Sequence, residues 1–359
     1  MLQPYDIAQR IKQWTPEQQQ GPVTLEIYPT LRCNLDCLFC DTTDRKRPPM
    51  NEMPTERWLE IIDEAAQMGV KQVYILGGGE PLVNKDTPLL MDRIKHHNMR
   101  GMLTTNGTRF ANDDLERMVQ TKWDEVHFSV DGPSPEIHDH LRGQKGAFRK
   151  TIRTACKLNM LKRSQKSLYP RIALHFVVTN RNYHTLTAMI QLAHAIGAQR
   201  VDFDSLIAYR PEQKALMLSK EQESQLPSIA KQAQNEARRL KIDTTLTNFI
   251  VSKPARGQQL PTGTQTPGLA GAPCLKAWHH LVIQADGRSS PCCVLAGQGG
   301  SAANTSLLTL WKNDSFMQKV RQGMIAHKPL PRCSECSWNI LQHESHIREH
   351  LAEDTCPST

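Results

Sequence analysis

Cys33, Cys37 and Cys40 lie within eight residues of one another in the stretch RCNLDCLFCD, 32–41. Thiolates at this spacing can hold a metal ion or an iron–sulfur cluster, but a closed site of either kind asks for four protein ligands. Three leave one coordination position open, through which a substrate or cofactor can reach the metal directly. The alternative is a zinc site completed by a residue distant in sequence. A second set, Cys274, Cys292, Cys333 and Cys336, is separated by 17, 40 and 2 residues, and four thiols suffice for a closed site. Its C-x2-C end also suits a structural zinc ribbon. Cys293 adjoins Cys292, and two neighbouring thiols do not comfortably serve one centre, so a free thiol is expected beside the second set. Cys356 reads as a tail thiol.

These residues need elements to hold them. Apolar runs at 23–28, 72–76, 101–105, 125–130, 172–178 and 200–207 predict strands. They alternate with helical patterns at 55–68, 86–98, 112–121, 145–159 and 183–196. Six βα units in order imply a parallel sheet with right-handed crossovers, and a three-quarter barrel or a doubly wound sheet fits the pattern. The cysteine triplet follows the first strand directly, at the strand end where such sheets carry their sites. In the fourth strand, period two puts Glu125, His127, Ser129 and Asp131 on one face and Val126, Phe128 and Val130 on the other. Glu26 shares a face with Thr24 and Tyr28, and Asp202 with Asp204. Parallel strands covered on both faces usually read as continuous apolar runs. The polar face predicts a lumen that holds a polar ligand.

Residues 250–272 are rich in Pro, Gly, Gln and Thr and read as linker. Beyond them come an Asp-Gly hairpin signal in LVIQADGRSS and helical patterns at 306–322 and 337–351. His343, His346 and His350 lack a carboxylate at metallopeptidase spacing and read as part of a solvated helix. No internal repeat is evident.

The chain has 359 residues, more than one core usually serves, so a large domain and a smaller one are expected. No apolar run approaches the ~20 residues of a membrane span, and no membrane partner is expected. The N-terminus lacks an apolar signal core, which makes the cytoplasm the expected location. There, ten cysteines point to metal or catalysis rather than disulfides. Residues 142–171 hold ten Lys or Arg and no Asp or Glu; this stretch is +10, so the rest of the +8 chain sums to −2. Such a run reads as a solvated helix face, with an acidic partner as the alternative.

The triplet, placed after the first strand of a βα series, resembles the hallmark of radical S-adenosylmethionine (SAM) enzymes. GGGEP (77–81), TTNG (104–107), SVDG (129–132) and HDHLRG (138–143) fall at the ends of strands two to four and after, as in that family. GGGEP departs from the commoner GGEP preceded by Thr or Ser. The resemblance implies that Cys33, Cys37 and Cys40 ligate a [4Fe–4S] cluster whose fourth iron takes the methionine part of SAM. It implies cofactor contacts for Gly77, Gly78, Gly79, Glu80 and Asn106, for Ser129 and Asp131 toward the carboxylate or ribose, and for Arg142 toward the carboxylate. Phe39 stands where the family places an aromatic near adenine; packing within the loop is the alternative. Cys274, Cys292, Cys333 and Cys336 resemble the ligands of a SPASM or twitch extension, which binds one auxiliary [4Fe–4S] cluster here. Cys292 is preferred over Cys293 because its spacing from Cys274 matches the twitch pattern.

The implied fold is α/β, a partial (β/α)6 TIM-like barrel with a small C-terminal Cys-rich SPASM/twitch domain. The expected boundaries are a lead at 1–22, the barrel at 23–245, the linker at 246–272 and the auxiliary domain at 273–359. The implied chemistry is reductive cleavage of SAM to a 5′-deoxyadenosyl radical, which abstracts hydrogen from a substrate C–H bond. A flavodoxin- or ferredoxin-type electron donor is implied as a partner. The expected substrate is a small polar metabolite such as a sugar or cyclitol, oxidised or epimerised; the alternative is a peptide or protein. Cys293 is the catalytic candidate, since a thiol can return a hydrogen atom to a carbon radical; without such a donor, oxidation is expected. The remaining alternative is a zinc-stapled protein that binds nucleic acid through the basic run.

Overall fold

The computed structural model describes residues 3–15, 20–40, 51–208, 210–250, 272–336, 344 and 346–351. Six parallel strands follow one another in space in the order of the chain: β1 (Thr24–Ile27), β2 (Gln72–Ile75), β3 (Arg100–Thr105), β4 (Glu125–Ser129), β5 (Arg171–Val178) and β6 (Arg200–Ser205). A doubly wound sheet reverses its strand order at a switch point. This sheet does not, and it is the partial barrel of the two predicted forms. β7 (Asp243–Thr244) extends it beside β6. On the other side β8 (His280–Ile283) pairs in parallel with β1, and β9 (Ser289–Ser290) pairs antiparallel with β8. With β7 and β9 at opposite edges, the barrel is unclosed.

Two cores result. On the outer face of the sheet Leu25, Ile27, Val73, Ile75, Leu103, Val126, Phe128, Ile172, Leu174, Phe176, Val201 and Phe203 are fully buried. They pack against the apolar stripes of the crossover helices, such as Trp58, Ile61 and Ile62 of Thr55–Gln67. Each such side chain contributes about 1.5–3 kcal/mol on burial. The second core joins the two ends of the chain. Ile7, Ala8 and Ile11 of the helix Pro4–Lys12 pack with Leu275, Trp278, Val320 and Met324. The segment expected as a lead is thus a wall of the C-terminal unit, and that unit continues the barrel sheet through β8.

The helices expected at 55–68, 86–98, 112–121, 145–159 and 183–196 appear within about five residues of those bounds; of 337–351, residues 346–351 are helical and 337–343 fall outside the described residues. The pattern at 306–322 is two helices, Leu307–Asn313 and Ser315–Ile325, because Asp314 ends the first and its side chain accepts from Met317 N in the second. The helix Lys220–Leu240, absent from the sequence reading, packs on the helix Leu186–Ile196 and beside β7, with Leu226, Ala230, Ala233 and Ala237 buried. The basic run lies largely on the helix Ala147–Ser164, with Lys145, Arg149, Lys150, Arg153, Arg163 and Lys166 exposed. Of the linker, Thr247–Ile250 is helical and 251–271 fall outside the described residues, as do His343 and Cys356. No helix of the described residues is long and apolar enough to cross a membrane.

Candidate active site

The loop after β1 has no regular structure and is tied to its neighbours through its backbone. Asp36 N donates to Arg142 O (3.2 Å) and Leu38 N to Leu141 O (2.9 Å), which docks the loop on the helix Pro135–Arg142. Gly143 ends that helix at φ 65°, and a Cβ there would stand 2.1 Å from Asp36 O; only glycine allows the approach. On the other side Gly79 N donates to Thr30 O and Glu80 N to Arg32 O. A Cβ on Gly79 would lie 2.1 Å from Arg32 O, and one on Gly78 2.1 Å from the Leu31 side chain. Gly77 sits against Gly79 in the same tight turn. Arg210 and Gln213 hold the carbonyls of Cys40 and Phe39, at 2.5 and 3.2 Å. The three thiols are thereby gathered, unbonded to one another, with Leu35 N donating to Cys33 Sγ at 3.4 Å. Burial raises the pKa of Cys33, and burial, against the pull of Arg142, pushes Cys37 up to about 12.

Glu80 is 2% exposed, and its carboxylate is tied to its neighbours by three hydrogen bonds. It accepts from Leu82 N, Thr105 Oγ1 (2.7 Å) and Asn106 N (2.6 Å), so it ties the end of β2 to the end of β3. Asn106 Nδ2 in turn donates to Asn34 Oδ1 of the cysteine loop. Asp131 is fully buried; its Oδ1 accepts from Val177 N and its carbonyl from Asn182 Nδ2. Arg142 Nε stands 2.5 Å from Asp131 Oδ2 in an approach misaligned for a hydrogen bond, while Nη1 donates to Cys37 Sγ at 3.8 Å. The guanidinium also lies 5.3 Å over the Phe39 ring. Burial works against the Arg142 charge, but Asp131 and Cys37 outweigh it and raise the pKa. Desolvation drops the adjacent His138 to about 4.

The second cysteine set meets around a small cavity of about 30 Å3, lined by Cys274, Cys292, Cys333, Cys336 and Lys276 with apolar walls. Cys292 precedes the 3-10 turn Cys293–Leu295; Cys333 lies in the turn Pro331–Glu335, with Cys336 just after it. Burial pushes Cys292 up to about 11 and Cys336 to about 12. Cys293 does not line this cavity. It is accessible to solvent from the recess of the barrel, where burial first and then Glu26 raise its pKa.

The lumen between the two sets is polar, as the alternation predicts. Tyr28 Oη donates to Glu26 Oε1 (2.6 Å), and His280 Nε2 meets Glu26 Oε2 at 3.0 Å. Glu125 Oε1 accepts from His127 Nε2 (2.8 Å) and Oε2 from Arg100 (2.9 Å); burial opposes the Glu125 charge, yet these partners hold it at about 2. His127 Nδ1 approaches Asp202 at 3.6 Å, and Arg200 holds the other Asp202 oxygen. His175 and Asp204 pair at 2.7 Å with both side chains about a third exposed, 28% and 34%. Burial lowers the His175 pKa, but the Asp204 bond prevails and raises it. Ser129 lies on this face beside His175 in the register. Of these, His175, Lys276, Asn34, Asn182 and Arg210 escaped the sequence reading. Only His175 carried a signal, the polar break at period two in IALHFVV.

Both cysteine sets suit iron–sulfur clusters. Each presents recessed thiols that are free of disulfides. Beside the triplet, Asp131 Oδ2, Arg142 Nε and His138 Nε2 are buried without a hydrogen-bond partner among the described residues. Among those residues no three His, Cys, Asp or Glu side chains converge on a single-ion position. Cysteines that each take a different iron of a cluster need not do so.

Comparison with known proteins agrees with this arrangement. Residues 27–193 match the family model described as the Radical SAM superfamily, and 274–337 match SPASM, an iron–sulfur cluster-binding domain. The chain is 27% identical over 335 residues to a PqqA peptide cyclase of Granulibacter bethesdensis, covering 89% of this chain and 82% of that one. It is 25% identical to an AdoMet-dependent heme synthase of Methanosarcina barkeri, over 81% and 82% of the two chains. It is 33% identical to the mycofactocin maturase MftC of Mycobacterium tuberculosis over 50% of this chain and 43% of that one. The fold is similar to the solved structure of Streptococcus suis SuiB bound to S-adenosylmethionine, with a TM-score of 0.67 and 18% identity over 84% of this chain and 68% of that one. The thiol loop at the mouth of an unclosed barrel, the cysteine-lined cavity behind it and these matches make the chain a member of the radical SAM superfamily, a SAM-dependent enzyme with a C-terminal SPASM iron–sulfur domain.

Proposed function

We propose that this enzyme modifies a peptide, removing hydrogen from a residue held in the lumen between the two cysteine sets. The observation that carries this reading is the likeness to the PqqA peptide cyclase, which runs through nearly the whole of both chains. It favours the peptide alternative over the sugar or cyclitol expected first. The likeness to a heme synthase is of similar length and supports a tetrapyrrole as a second reading. A flat macrocycle asks for apolar walls, whereas the lumen presents carboxylate–histidine pairs suited to the amides and polar side chains of a peptide.

When bound, the cluster of Cys33, Cys37 and Cys40 together with SAM supplies a 5′-deoxyadenosyl radical, and the second cluster a one-electron relay. The chain supplies the rest. Asp131 fixes Arg142 beside Cys37, where its remaining N–H groups can meet a carboxylate. Glu80 and Asn106 brace the strand ends rather than presenting free groups. Gly77, Gly78 and Gly79 let the backbone close on the loop. Phe39 and Arg142 make one stacked wall. Glu26, ionised between Tyr28 and His280, can take the proton that oxidation of the substrate releases. A flavodoxin- or ferredoxin-type protein is the expected donor.

The test is anaerobic enzyme with SAM and reductant, offered a peptide library, cyclitols and sugars, and iron-coproporphyrin in parallel. Peptides are expected to stimulate 5′-deoxyadenosine formation and to return two hydrogens lighter. Turnover confined to sugars or to the tetrapyrrole would defeat the reading.

A further inference from the structure

We propose that Lys276 raises the reduction potential of the cluster held by Cys274, Cys292, Cys333 and Cys336. This rests on the reading of both cysteine sets as cluster ligands. Lys276 lines the same cavity as the four cysteines, whose other walls include Pro291, Leu295, Val320 and Met324. In an apolar enclosure a fixed charge is little screened. Added electron density on a cluster is stabilised by a nearby cation and by N–H groups directed at its sulfurs, and both raise the potential. Lys276 acts on Cys292 and Cys336 through its charge, while its backbone N–H serves Cys274. Cys292 receives the N–H groups of Val294 and Leu295 as well.

Two buried carboxylates oppose this charge: Glu344 acts on Cys274 and Cys336, and both Glu344 and Glu26 feel the Lys276 ammonium. Glu344 accepts from Leu275 N (2.6 Å) and pairs with His279 Nε2 at 3.1 Å. Glu26 lies between Tyr28 and His280. At the three-cysteine site the cation is Arg142, which donates to Cys37 Sγ and is paired with Asp131 at 2.5 Å.

The experiment is a potentiometric titration of the holoenzyme followed by electron paramagnetic resonance, repeated in full-length protein with Cys33, Cys37 and Cys40 changed to Ala so that one cluster is read alone. Lys276→Met should keep its iron and show a lower midpoint potential for the second cluster, and Lys276→Arg should keep the parent value. Equal potentials in all three proteins would overturn the proposal. So would loss of the second cluster's iron in both Lys276→Met and Lys276→Gln with retention in Lys276→Arg, since Lys276 would then be a structural support. Failure of the underlying reading is separate and visible first: the parent protein would lack a second cluster.

Discussion

The loop of Cys33, Cys37 and Cys40 is pinned from outside, whereas the cavity of Cys274, Cys292, Cys333 and Cys336 is walled from within. In the loop, backbone hydrogen bonds to the turn after β2, to the helix Pro135–Arg142 and to Arg210 set the shape, with Leu35 as its buried apolar side chain. The cavity collects thiols from three separate segments, and Trp278, Val320, Met324 and the helix Pro4–Lys12 hold those segments together. A site that must stay open to a cofactor can be local, because its missing ligand comes from outside. A closed site has to take its fourth ligand from a distant part of the chain, so it depends on tertiary packing. The two regions should therefore fail in different ways.

The largest effect should come from changing Cys33, Cys37 and Cys40 together to Ala. Iron should fall from about eight to about four per chain, and 5′-deoxyadenosine formation should vanish, while the visible absorbance of the second cluster persists. Because backbone hydrogen bonds rather than the thiols shape the loop, the melting temperature should hardly move. SAM cleavage by this variant would break the assignment of the open site.

Arg142→Ala comes next. It leaves Asp131 fully buried without its cation, which costs about 3–5 kcal/mol in such pairs. The melting temperature should drop, SAM binding measured by equilibrium dialysis should weaken, and the second cluster should keep its iron. Arg142→Lys should recover part of the stability but little of the affinity, since an ammonium lacks the planar fork. Full SAM affinity in Arg142→Ala would show that Asp131 and Arg142 are only a structural pair.

The strands and the polar lumen were legible because period two needs only neighbours in sequence: EVHFSVD announces its own two faces. What the lumen residues bond to was not legible. His280 reaches Glu26 across 254 positions, a pairing that exists only because β8 docks on β1. The helix Lys220–Leu240 was missed since Pro227 interrupts it and its buried face is mostly alanine, although Ser219 and Gln222 form a capping box that marks its start. Residues 1–22 looked like a lead because three apolar side chains on a nine-residue helix reveal no partner until the far end of the chain covers them. Glu80 illustrates a finer limit. Its type and place suggested a cofactor contact, but the donors that occupy it come from β3 and the turn after β2, and only the fold brings those together.

A smaller effect separates the two regions by pH. Glu125 in the lumen and Glu344 in the second core are both held at about 2, against an ordinary 4.5. Burial alone would raise both; bonds from His127 and His279 reverse it. A depressed carboxylate contributes stability that is complete above its ordinary value and is lost as pH falls toward the folded value. Thermal stability followed from pH 5 down to pH 3 should decline less steeply in Glu125→Gln and in Glu344→Gln than in the parent. Only the Glu344 variant should also shed iron from the second site on acidification, because its carboxylate takes Leu275 N beside Cys274. Identical slopes in parent and variants would remove these pairs from the account of acid stability.

The smallest effect is expected at Cys293, and it sharpens the boundary between cavity and lumen. Cys292 lines the cavity and its neighbour does not, so Cys292→Ala should lose the second cluster and Cys293→Ala should retain it. Cys293 instead shares the recess with Glu26 and Tyr28, close enough for the Glu26 charge to act on it. A thiol there has two prospects. It can hand a hydrogen atom to the substrate carbon, which leaves the product with the mass of the substrate. Or it can stand aside while the electron leaves through the second site and the proton goes to Glu26, which makes the product two hydrogens lighter. The second course needs no thiol. With the substrate in D2O, Cys293→Ala should form the lighter product at close to the parent rate. Deuterium at the reacting carbon of a product otherwise unchanged, present in the parent and absent in Cys293→Ala, would reverse the assignment: Cys293 would be the hydrogen donor and the reaction an epimerisation.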